Sequence, residues 1–189
     1  MKSDPVNVQH RPFMTPIWLF GSVGLLALGV AILAVWMWGT ANATTVIVIR
    51  HAEKEAGDLV DPQLSAAGEA RAALLERMFG DSKDPGRLDA IYTSPALRNR
   101  LTIAPLAAQL GMVPIVAPAD DAKGVALRAL REHSGGRVLI VGHVNTVPKI
   151  VSALSGRSDI PGIDERDYGV MYVVTVPRIG RANVLRMNY

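Results

Sequence analysis

The sequence predicts an α/β domain of three layers, a mostly parallel sheet flanked by helices, carried behind a single membrane-spanning helix. Three observations lead there. Residues 17–38 form an uncharged apolar run. After residue 43, short β-branched runs alternate with amphipathic stretches of helical period, the pattern of strand–helix–strand units. The length, 189 residues, suits one ordinary domain plus a small appendage and not two full domains. Composition narrows the class further. With 49% hydrophobic and 20% charged residues the chain is not disordered. It has no cysteine, so disulfides and thiolate chemistry are out, and a zinc site would need His and carboxylates alone. A net charge of +3 is too mild an excess to point to nucleic acid.

The elements follow in order. Residues 1–16 read as a short cytoplasmic segment. Ile17 to Trp38 would form a helix roughly 33 Å long at ~1.5 Å per residue, enough to cross a hydrocarbon core of about 30 Å. Trp18 stands at one end and Trp36 and Trp38 at the other, where an interfacial aromatic belt lies. Residues 39–43 are a linker. Ala41-Asn42-Ala43 also has the small-x-small form of a signal cleavage site, so a secreted or periplasmic product cut after Ala43 is the rival reading. The apolar run is longer than a usual signal core, which favours a retained anchor. Lys2 and Arg11 flank the first end of the run, and residues 39–49 are uncharged. The positive-inside bias then puts the N-terminus in the cytoplasm and the domain outside it.

Within residues 44–189, Thr45–Arg50 reads as a buried strand. Ser65 caps a helix with Ala67, Ala70, Leu74, Leu75 and Met78 on one face, ending at Gly80. Asp89–Thr93 is a short strand. Ser94-Pro95 is the N-cap and first turn of a helix running to Leu110. Val113–Val116 is a third strand, and Asp121–His133 a third helix of the domain. Arg137–Val141 is a fourth strand, followed by a helix from Thr146 to Leu154. Met171–Val176 and Asn183–Met187 close the sheet as an antiparallel pair.

Ligands of open α/β sheets bind beyond the carboxyl ends of the strands. The first strand ends in Arg50-His51-Ala52-Glu53, the second leads to Arg98, and the fourth ends in Gly142-His143-Val144-Asn145-Thr146. Two of four histidines and two arginines thus gather at one sheet edge. Guanidiniums are poor neighbours for a metal cation and good ones for a phosphate, so the cluster implies no metal and a phosphorylated ligand. A histidine beside a phosphate serves as nucleophile or general acid.

These residues carry a resemblance. T-T-V-I-V-I-R-H-A-E-K, from Thr44 to Lys54, resembles the opening motif of the histidine phosphatase superfamily, whose founding group is the phosphoglycerate mutases. Leu64-Ser65-Ala66-Ala67-Gly68 resembles its L-S/T-x-x-G helix start, and Ser94 to Thr102 its S-x-x-x-R-x-x-Q-T stretch. Val141-Gly142-His143 resembles its second histidine motif. The resemblance covers residues 44–189 and implies the phosphoglycerate mutase-like fold. Leu101 stands where many members have Gln. Val144 follows the second histidine, where the acid-phosphatase branch has its proton-donating Asp.

The family mechanism implied by the resemblance is a double displacement without metal or cofactor. His51 attacks phosphorus, and Arg50, Arg98 and His143 hold the phosphoryl oxygens. An acid protonates the leaving group, then water hydrolyses the phosphohistidine. Glu53 is the first candidate acid, with an exposed loop carboxylate, or a partner that orients Arg50 or Arg98, as its other readings. Asp120 and Asp121 are the remaining candidates, with helix capping as theirs. Asn145 and Thr146 either touch the phosphate or cap the following helix. Arg100 faces solvent, His133 complements a helix dipole, and His10 has no visible role. Short loops imply an open pocket that accepts an exposed phosphate on a phosphoprotein, an envelope glycan or a small phosphosugar. Two other readings stay open: a membrane-tethered module that binds phosphate without turnover, and a mutase-type phosphotransferase.

Overall fold

The computed structural model of the protein describes residues 17–57, 60–81 and 86–189. The expected cytoplasmic segment 1–16 lies outside them. The chain divides into two compact units, Met1–Met37 and Trp38–Tyr189. Helix α1 spans Ile17–Ala41, slightly longer than the uncharged run. Its stretch Phe20–Gly39 has a mean hydropathy of 2.2. Leu25, Leu26, Ile32 and Trp36 are all exposed. A helix apolar on every side normally sits in a core or a membrane. This one is in no protein core, and it is long and apolar enough to be a membrane anchor or a signal.

The second unit contains β1 (Thr44–Arg50), α2 (Ala66–Phe79), β2 (Ala90–Thr93), α3 (Leu97–Leu110), β3 (Ile115–Val116), α4 (Ala122–Glu132), β4 (Arg137–Gly142), α5 (Val147–Ser155), β5 (Val170–Val176) and β6 (Asn183–Asn188). The six strands form one sheet in the order β3-β2-β4-β1-β5-β6. The first four strands in chain order run parallel, while β5 lies antiparallel to β1, and β6 to β5.

The alternation along β1 explains the layers. Val46 and Val48 pack with Val125, Ala129, Val147 and Val151 of α4 and α5. Ile47 and Ile49 point the other way, against Leu75 of α2 and Ile103 and Leu106 of α3. Successive side chains of a strand face opposite sides, so a central strand must be apolar throughout to serve two helical layers. Each such side chain, fully buried, contributes roughly 1.5–3 kcal/mol from its apolar area.

Two local expectations are corrected. The third strand is only Ile115–Val116, because Pro114 has no N–H to give the ladder. Helix α3 begins at Leu97 and is not capped by Ser94. Its first free N–H, that of Leu97, goes to the Asp61 carboxylate at 3.0 Å, and the Ser94 hydroxyl is engaged elsewhere. The Ser65 cap stands as expected, accepting from the Gly68 N–H at 3.2 Å.

Candidate active site

The parallel pairing of β1 and β4 is the origin of the site. Arg50 is opposite Gly142 in register, so the next residue of each strand, His51 and His143, stands side by side past the sheet edge. The His51 N–H continues the ladder onto the Gly142 carbonyl at 3.0 Å. The two rings meet edge to face with centroids 5.4 Å apart. Thr93 of β2 pairs with Val141, which brings Ser94 up to His143.

His51 is buried, and its Nδ1 lies 2.8 Å from the Ala52 carbonyl oxygen. A carbonyl only accepts, so Nδ1 carries the proton and Nε2 keeps its lone pair. Burial pushes the His51 pKa down to about 4; the Ala52 carbonyl opposes this, and Arg98, Arg50 and His143 reinforce it. The ring is therefore neutral at pH 7, with Nε2 as the available base or nucleophile. Arg98 Nε stands 3.3 Å from that nitrogen. Arg98 Nη2 is 3.4 Å from His143 Nδ1. A guanidinium cannot accept, so His143 Nδ1 does, and its Nε2–H donates to Ser94 Oγ at 3.0 Å. Burial, then Arg98 and Arg50, also lower the His143 pKa.

Arg98 is aimed by the fold of α3. Asp61 caps the helix and lies 3.7 Å from Arg98 Nη1. Buried Asn99 donates to the carbonyls of Val141 and Gly142. Buried Thr102 donates to the Arg98 carbonyl at 2.7 Å and accepts from the Ala52 N–H at 2.9 Å. One helix thus ties together the ends of β1 and β4. Gly68 has a matching role on α2, where a Cβ would collide with the Glu53 carbonyl, so only glycine lets that helix pass beneath the loop after His51.

These side chains line an open cleft of about 740 Å³. Arg50, His51, Arg98 and His143 are in it, as are Asn145 and Thr146. Thr146 accepts from the His143 N–H at 2.8 Å, so its hydroxyl shapes the turn that presents His143. Asp120 lines the cleft as well. Asp121 does not: its carboxylate caps α4 by accepting from the Gly124 N–H at 2.8 Å. Glu53 is placed differently from the expectation. Its carboxylate lies across Arg71, which donates from Nε at 2.8 Å and from Nη2 at 2.6 Å, and it pairs with neither Arg50 nor Arg98. The Arg71 hydrogen bonds hold its pKa below the usual carboxylate range, against the effect of burial. Glu53 is also not among the side chains that line the cleft. Arg100 is exposed, as expected, and His133 ends α4 with its ring against Tyr92.

The cleft also contains residues that sequence reasoning passed over: Lys54, Lys149, Glu165 and Tyr168. Glu165 and Tyr168 lie in the loop before β5, where no periodicity or spacing marks them. Ser94 lies inside the stretch Ser94 to Thr102, where the sequence pattern points to a helix cap, and its hydroxyl instead meets His143. Among the described residues, no group of three or more His, Asp or Glu side chains is arranged to hold a metal ion.

The family model of the histidine phosphatase superfamily (branch 1) matches residues 46–121. This stretch contains Arg50, His51 and Arg98, the residues just described converging. Over these residues the chain matches the histidine phosphatase superfamily. No curated protein matches the chain. Solved structures share the fold. The protein histidine phosphatase SixA, complexed with tungstate, aligns with a TM-score of 0.59 at 18% identity, over 76% of this chain and 96% of that one. A mycobacterial glucosyl-3-phosphoglycerate phosphatase aligns with a TM-score of 0.58 at 15% identity, over 77% and 99%. A putative alpha-ribazole-5'-P phosphatase from Escherichia coli aligns with a TM-score of 0.60 at 15% identity, over 78% and 97%. The family match stops before His143, whose place rests on the strand register. The family match and these neighbours together support a phosphatase.

Proposed function

We propose that the domain hydrolyses phosphomonoesters without a metal, through a phosphohistidine on His51. The observation that carries this reading is the state of His51: buried and neutral, with Nδ1–H held by the Ala52 carbonyl and Nε2 facing the Arg98 guanidinium. That arrangement presents a nucleophilic nitrogen where a cationic side chain would fix a phosphoryl group. His51 Nε2 forms the bond to phosphorus as the ester oxygen leaves. Arg50, Arg98 and His143 stabilise the charge on the non-bridging oxygens. Asp120, in the cleft and free of a cap or ion pair among the described residues, would give the leaving oxygen its proton when in the acid form, a role for which Glu53, paired to Arg71 outside the cleft lining, is not placed. Water then attacks the phosphohistidine, returning neutral His51 and inorganic phosphate.

The substrate class is an exposed phosphate on a phosphoprotein, an envelope glycan or a small phosphosugar. The width of the cleft and the two lysines at its mouth, Lys54 and Lys149, support a ligand that reaches in from outside. The SixA likeness favours the phosphoprotein among these, and the glucosyl-3-phosphoglycerate phosphatase likeness the phosphosugar. The α1 helix supports anchoring through residues 17–38, and Lys2 and Arg11 on its first flank favour a domain on the extracytoplasmic side. The deciding experiment is phosphate release by the full chain in mild detergent, with rapid quench after a labelled substrate. Acid-labile, base-stable label on His51 is expected. Phosphate binding without release would instead make the protein a tethered phosphate-binding module.

A further inference from the structure

Arg50 is held in an unusual way for a residue meant to grip phosphate. Its Nη1 donates to three backbone carbonyls of one loop: Glu165 at 2.7 Å, Asp164 at 3.2 Å and Asp167 at 3.4 Å. Its Cζ lies 3.9 Å from the centroid of the Tyr168 ring, close enough for cation–π attraction. Tyr168 is also edge-on to His51, with ring centroids 6.0 Å apart. The loop is itself secured. Asp167 accepts from the Gly169 N–H at 3.2 Å and lies 3.7 Å from Arg186 of β6, and the Gly169 carbonyl accepts from the Tyr189 N–H at 3.0 Å.

A guanidinium can bind an oxyanion through its Nη1–Nη2 end or its Nε–Nη2 side. Here the carbonyls occupy Nη1, which rules out the end-on mode. Among the described residues, buried Arg50 Nε has no hydrogen-bond partner. A buried donor normally has one. We propose that Tyr168 is a positioning residue: with the carbonyls of residues 164, 165 and 167 it clamps Arg50 so that its Nε–Nη2 side, not its end, meets the phosphoryl oxygens. The clamp gives the loop before β5 a part in catalysis through the orientation of Arg50. This rests on Arg50 being a phosphate ligand, as the proposed function has it.

The test compares Tyr168→Leu and Tyr168→Phe in the full chain in mild detergent. Inorganic phosphate binding is measured by calorimetry, and kcat/KM on p-nitrophenyl phosphate by absorbance. Tyr168→Leu should weaken phosphate binding and lower kcat/KM by roughly tenfold, the scale of a desolvated cation–π contact. Tyr168→Phe, which keeps the ring, should stay within about twofold on the same scale. In an Arg50→Ala background Tyr168→Leu should have no further effect, since the two residues act as one unit. A loss that persists without Arg50, or Tyr168→Phe as damaging as Tyr168→Leu, overturns the clamp. NMR gives a readout that does not depend on activity. The Arg50 guanidinium protons should be shifted upfield by the ring in the wild type and Tyr168→Phe, and not in Tyr168→Leu. Should the wild type neither bind phosphate nor turn over, the phosphatase reading fails, and the NMR shift alone still decides whether the clamp exists.

Discussion

The cleft has two walls of different construction. One is built from the ends of β1 and β4 and the first turns of α3. There His51, His143 and Arg98 take their places from strand register and from the hydrogen bonds of Asn99 and Thr102. The other is built from loops: Ala119-Asp120 after β3 and Asp164–Tyr168 before β5. Its groups hold position through single side chains and carbonyls. The difference teaches where chemistry and selectivity reside. In the proposed mechanism the register wall places the reacting atoms with the rigidity of a sheet, while the loop wall would supply the proton and orient one guanidinium.

The sharpest way to test that division is to remove the nucleophile from the register wall. His51→Ala should cut turnover by on the order of 10⁴-fold or more, as loss of a covalent nucleophile does. Far-ultraviolet circular dichroism should be unchanged. A substantial residual rate would move the nucleophile elsewhere. Arg98→Ala comes next. Losing a charged donor aimed at transition-state oxygens costs ~3–4 kcal/mol, roughly a hundredfold to a thousandfold in kcat. KM should rise and inhibition by inorganic phosphate weaken, which steady-state kinetics at varied phosphate will show.

The loop wall is probed with two leaving groups. Asp120→Asn should lower the rate on an alkyl phosphate by ~10²-fold, the lower end of general acid catalysis, and should spare p-nitrophenyl phosphate, whose leaving group departs unprotonated. Glu53→Gln should show no such contrast, because its carboxylate serves Arg71. If Glu53→Gln alone produced the contrast, the acid would be returned to it.

pH tests the register wall again with a smaller effect. His51 is neutral in the fold down to about pH 4, whereas it titrates near 6.5 when unfolded. Between these values the unfolded chain binds more protons, so the contribution of His51 to stability is full above pH 6.5 and is lost as pH falls toward 4. Chemical denaturation at stepped pH should show this slope, and His51→Ala should flatten it. The smallest effect is expected from Thr102→Val. It leaves the Ala52 N–H without its partner in a buried place and should cost ~1–3 kcal/mol of stability. Turnover should fall only a few-fold, read from urea midpoints and initial rates.

Much of the fold was legible because periodicity reports it directly. The β-branched run of β1 and the Ser65 cap are local features that depend on neighbours a few residues away. The face of α2 was not legible in this way, since the helix buries Gly68, Ala72 and Leu75 and leaves Ala67, Ala70 and Met78 exposed. The site was half legible for the same reason. Arg50, His51 and His143 sit at strand ends, and parallel strands align their ends, so apolar runs alone were enough to bring them to one edge.

What the sequence by itself determined is the alternation of elements, the uncharged helix and the residues at the strand ends, since backbone propensity and apolar patterning are short-range properties. Tertiary structure alone decided the pairings. Glu53 met Arg71 and not Arg98, Ser94 met His143 and did not cap α3, and Tyr168 came to lie on Arg50. Polar side chains take the partner that packing brings within about 3 Å in a place shielded from water. These partners are far apart along the chain, and no local pattern records which of several charged or hydroxyl groups will arrive.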